Sequence, residues 1–75
     1  MDVIAVISGP DRLWFVAGPC SSWPPPEDEY EMSQIFDSRD DAMASALERA
    51  GGLPVKLLVT EDGETKTKYL NIPPP

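Results

Sequence analysis

A chain of 75 residues, 41% of them apolar, has material for one core and no second module. With no histidine and a single cysteine, Cys20, it lacks the usual nitrogen and sulfur ligands for zinc, an imidazole base, and any internal disulfide. Thirteen acids against six bases give a formal charge of −7, which disfavours direct contact with phosphate backbones or anionic lipid.

The run V-I-A-V-I inside Asp2 to Ser8 is β-branched and short, and predicts a strand. Gly9-Pro10-Asp11 supplies turn chemistry, and Arg12 to Ala17 follows as a second strand, with Leu13, Phe15 and Ala17 on one face and Trp14 and Val16 on the other. Apolar residues on both faces predict an interior strand, and the two segments together predict a hairpin. Residues 18–29 combine glycine, serines, Pro24 to Pro26 and a run of carboxylates, which reads as a surface loop. Tyr30, Met32, Gln34 and Phe36 alternate, which allows a third strand over 30–36.

Ser38 is suited to an N-cap, with Asp41 placed to return the bond to its backbone amide. A helix is predicted from there, its apolar stripe formed by Ala42, Met43, Ala46, Leu47 and Ala50, with Asp41, Ser45, Glu48 and Arg49 outward. Gly51-Gly52 should end it.

Pro54 to Glu61 and Glu64 to Leu70 read as a final hairpin around Asp62-Gly63. A two-residue loop would set Leu57 and Val59 against Lys68 and Lys66, with lysines on the core face. A three-residue loop, Glu61-Asp62-Gly63 with a glycine bulge, sets Val55, Leu57 and Val59 against Tyr69, Thr67 and Thr65, and is the preferred reading. Lys56, Leu58, Thr60, Glu64, Lys66 and Lys68 then form a polar opposite face. The predicted fold class is α+β: a small antiparallel sheet of four or five strands, in the order β-β-(β)-α-β-β, with one helix packed on one face. It forms one domain over 1–72, with a short tail at 73–75.

No pattern in the chain assembles catalytic chemistry, so the expectation is a non-enzyme without cofactor or metal. Glu27, Asp28, Glu29 and Glu31 follow no calcium-loop spacing. Cys20 has no histidine or cationic cluster beside it in sequence to stabilise a thiolate. Asp40 and Asp41, at a helix N-terminus, serve the helix better than acid-base work. Nine of the thirteen acids lie in residues 1–41, against only Arg12 and Arg39, so the negative field is concentrated in the first half. The candidate contact residues for a partner are Trp23, Glu27, Asp28, Glu29, Tyr30, Glu31, Asp37, Asp40 and Asp41. Trp23, ahead of three prolines, reads as an interface anchor or, by a small preference, as a cap on the open end of the core.

The expected partner is another protein with a basic surface, with no direct nucleic-acid or membrane contact. A homodimer would supply burial that so short a chain lacks. An alternative is a nucleic-acid mimic whose carboxylates fill the phosphate groove of a DNA- or RNA-binding protein. No apolar run approaches a bilayer span, and Asp2 stands where an export signal carries positive charge, which predicts a cytoplasmic setting.

From Phe36 onward the pattern F-D-S-R-D-D-A, an alanine-rich helix, then V-K-L-L-V-T-E-D-G-E and Tyr69 resembles a group of small bacterial and phage domains of unknown function. The resemblance covers about half of the chain and implies a β-β-α-β-β layout. Size and acidity are similar to those of phage-encoded inhibitors of host defence, including anti-CRISPR proteins. The resemblance implies no functional residue.

Overall fold

The computed structural model describes residues 1–25 and 34–72. The chain runs β1 (Asp2–Ser8), a 3-10 turn (Pro10–Arg12), β2 (Trp14–Cys20), β3 (Gln34–Phe36), α1 (Arg39–Ala50), β4 (Val55–Glu61) and β5 (Glu64–Leu70). The strands form one five-stranded sheet in the order β3-β2-β1-β4-β5, so the α+β class and the single packed helix stand as predicted. The tail at 73–75 lies outside the described residues.

The sheet is mixed, which corrects the all-antiparallel expectation: β1 and β4 pair in parallel, Ile4 beside Leu57 and Val6 beside Val59. The segment joining β3 to β4 carries a twelve-residue helix, long enough to bring the chain back to the starting end of the sheet. β1 takes the centre because it is apolar on both faces. Ile4 and Val6 point to the helix, Val3 and Ala5 point away, and all are buried.

The helix packs on β1, β2 and β3. Ala42, Ala46 and Ala50, one turn apart, are buried against Ile4, Val6, Trp14, Val16, Val55 and Leu57. Three small residues allow close approach to the sheet. Leu47 does not join this stripe; it is 52% exposed, because the stripe is centred on the alanines and Leu47 projects to the side where β5 lies uncovered. Arg49, expected outward, lies over the opposite flank, where its guanidinium donates to Gly18 O at 2.9 Å and to Gln34 Oε1 at 3.1 Å.

Further boundaries differ from the sequence reading: β2 begins at Trp14, because Arg12 takes left-handed backbone in the preceding turn. Gly18 to Cys20, assigned to a loop, extend β2. The register shifts between the Ala5–Ala17 and Val3–Cys20 pairs, and Gly18 absorbs the irregularity with a φ of 111°. Pro19 is accommodated because β3 reaches only Trp14 to Val16, so the outer side of β2 has no paired strand there among the described residues. The third strand spans Gln34 to Phe36; the rest of its expected range, 30–33, lies outside the described residues.

The last hairpin closes with the two-residue loop that the register argument had rejected. Glu61 pairs with Glu64, Leu57 with Lys68 and Val55 with Leu70, across Asp62 (φ 53°) and Gly63 (φ 78°). Positive φ at both positions is the turn whose twist matches paired strands. The lysines do share a face with Leu57 and Val59, as that register demands. No burial penalty follows, because the helix leaves this part of the sheet open, and Lys66 and Lys68 stand in water. Tyr69 consequently lies opposite Lys56 on the helix-free face, 58% exposed, and not over the core.

Candidate acidic pole

Every junction that follows β1, β3 and β4 lies at the same end of the sheet. The β1–β2 turn, the β3–α1 junction with the first helical turn, and the β4–β5 turn converge there. Asp11, Asp37, Asp40, Asp41, Glu61, Asp62 and Glu64 stand at this end with Arg12 and Arg39, seven acids against two arginines for a net of −5. The remaining described residues hold Asp2 and Glu48 against Arg49, Lys56, Lys66 and Lys68, a net of +2. The fold thus makes a charge dipole that the linear order conceals.

The pole is contiguous. Arg12, Asp37, Arg39, Glu61 and Asp62 line one shallow hollow with Ser8 and Gly9. Arg39, Glu61, Asp62 and Glu64 also line a neighbouring cleft, in which Met43, Val59, Lys66 and Lys68 take part. Its acids are exposed, so the field projects into solvent. One charge contact crosses it, Arg39 Nε to Glu61 Oε2 at 3.6 Å, half-exposed at both partners, which is worth at most about 1 kcal/mol.

Local structure holds these residues in place. Ser38 Oγ accepts from the Asp41 amide at 3.1 Å, the cap that starts α1, and the Asp41 carboxylate stays exposed. Among the described residues the expected return bond, from the Ser38 amide to the Asp41 carboxylate, is not formed. Asp40 and Asp41 occupy the first turn, where the positive end of the helix favours them. Asp11 and Arg12 both take left-handed backbone, with φ of 58° and 62°, and the turn closes by Gly9 N–H to Leu13 O at 2.7 Å. A Cβ on Gly9 would run into the Phe15 ring, so glycine is the residue that fits. The Asp62 amide donates to Ser8 Oγ at 3.4 Å and links two of the converging turns.

Of the sequence candidates, Asp37, Asp40 and Asp41 lie together at the pole. Trp23 sits in a bend after β2, half-buried, and does not belong to the main core cluster, in which Trp14 is the tryptophan. Glu27, Asp28, Glu29, Tyr30 and Glu31 lie outside the described residues. Sequence reasoning missed Asp11, Glu61, Asp62 and Glu64, because they flank turns and read as turn chemistry. Only the parallel pairing of β1 with β4 puts the second hairpin's turn beside the first.

No known protein family, no curated protein and no solved structure matches this chain. No helix among the described residues is long and apolar enough to cross a membrane.

Proposed function

We propose that this chain is a small non-enzymatic protein-binding module whose acidic pole engages a basic surface on another protein. The observation that carries this reading is the convergence of seven carboxylates from three separate turns on one end of the sheet. Such a field accelerates encounter with a positive partner and repels nucleic acid and anionic membrane. Within that reading, the role assigned is a cytoplasmic inhibitor of the kind phages and mobile elements carry, which acts by covering a partner's surface.

The test is a variant with Asp11→Asn, Asp37→Asn, Asp62→Asn and Glu64→Gln, which brings the pole from −5 to −1 while leaving the helix-start acids Asp40 and Asp41 in place. Affinity for the co-purifying partner should fall at least tenfold, and its salt dependence should flatten. Unchanged affinity would show that the pole is the wrong surface. Competition by duplex DNA would assign the pole to nucleic-acid mimicry of the partner's phosphate groove, and its absence supports a protein-specific contact.

A further inference from the structure

We propose a second binding surface, which adjoins the acidic pole at Glu64: the free edge of β5 takes up an extended acidic peptide as a sixth, antiparallel strand. β5 is an outer strand of the sheet, and its seven residues pair with β4 without a register shift and without proline. The other edge, β3, has three residues. In a hairpin closed by a two-residue turn the closing pair, Glu61 and Glu64, is hydrogen-bonded, and the pattern then alternates. Thr65, Thr67 and Tyr69 therefore direct their amides and carbonyls away from β4, toward the open edge. That edge holds three donors and three acceptors in line.

Charge defines the occupant. Lys66 and Lys68 lie two apart on the helix side of β5, exposed, and neither makes an ion pair with a described residue. They occupy the positions between the outward-bonding residues, where an added strand brings its side chains closest, with Cα atoms about 4.5 Å apart. Both also line the cleft beside α1, together with Val59 and Met43. An antiparallel strand fits if it presents acids opposite Lys68 and Lys66, a base opposite Glu64 and an apolar residue opposite Leu70. Read from its own N-terminus, that partner is apolar-x-acid-x-acid-x-base. A second copy fits poorly, since the register that pairs all seven residues of β5 with its own copy sets Lys66 against Lys68 twice.

The probe is the capped peptide V-T-E-T-E-T-K, titrated into the full isotope-labelled chain and followed by amide spectra. Binding should perturb the amides of Thr65, Thr67 and Tyr69 and leave α1 in place. The paired change Lys66→Glu and Lys68→Glu should weaken it at least tenfold, and the charge-reversed peptide V-T-K-T-K-T-E should prefer that variant to the original chain. Lys66→Ser with Lys68→Ser checks the loss without introducing new charge. A peptide N-methylated on its bonding amides should not bind. The proposal is overturned by no perturbation up to about 1 mM peptide, by equal binding of the N-methylated peptide, by equal binding to the lysine variants, or by sedimentation showing that the chain already dimerises through β5.

Discussion

Gly18 and Gly51 both take positive φ, at 111° and 55°, yet replacing them by alanine should differ in cost. Around Gly51 nothing lies within 4 Å of an added Cβ, so Gly51→Ala isolates the backbone term, about 1–3 kcal/mol at φ 55° and ψ −128°. At Gly18 an added Cβ would also stand 2.5 Å from the Val3 carbonyl oxygen in the middle of the sheet, and Gly18→Ala should cost about 3 kcal/mol or more. Urea denaturation of the two variants measures both; equal losses would contradict the close approach at Gly18. The helix-ending role of Gly51 was readable from its place after the last apolar residue. That of Gly18 was not, because its demand comes from a neighbouring strand, and neither was the bond that Arg49 makes to its carbonyl. Asn71 illustrates the same limit: its side-chain amide donates to Gly51 O and Leu53 O, each at 2.9 Å, and ties the end of β5 to the end of α1 across 18 to 20 residues.

At the scale of elements, local signals carried furthest where one segment suffices. The start of α1 followed from Ser38 alone, and Ser38→Ala should cost about 1 kcal/mol in the same denaturation experiment, through loss of the bond from the Asp41 amide. A loss near zero would show the cap to be dispensable. β1 ran as predicted, since a β-branched run with turn chemistry behind it has few alternatives. The β4–β5 hairpin shows why register is harder. Asp62-Gly63 carried the correct local signal, and it was overruled by an assumption about which face the helix would cover. Asp62→Asn, the residue best suited to a turn with two positive φ values, should leave stability unchanged or raise it by a few tenths of a kcal/mol. A clear loss would contradict that turn geometry. The unforeseen placement of Leu47 and Tyr69 has the same origin, since both follow from α1 lying over β1, β2, β3 and the first half of β4 and leaving β5 open on that side.

For the whole molecule, topology decides what the charges mean. In the linear chain the acids gather in residues 1–41, and no residue of the second hairpin entered the candidate site. Parallel pairing of β1 with β4 brings Glu61, Asp62 and Glu64 to the end where Asp11, Asp37, Asp40 and Asp41 already stand, and leaves Lys66 and Lys68 further along the edge. The class of fold was readable because it depends on element type and order; the site was half readable because it depends on which strands meet. The measurement that bears most directly on the proposed function is an amide-shift map of the isotope-labelled chain bound to its co-purified partner. Perturbations concentrated at residues 8–12, 37–41 and 61–64, weakening together as salt is raised, are the predicted result. A map that spares these three turns and falls instead on the helix-free face around Phe15, Leu58 and Tyr69 would contradict it.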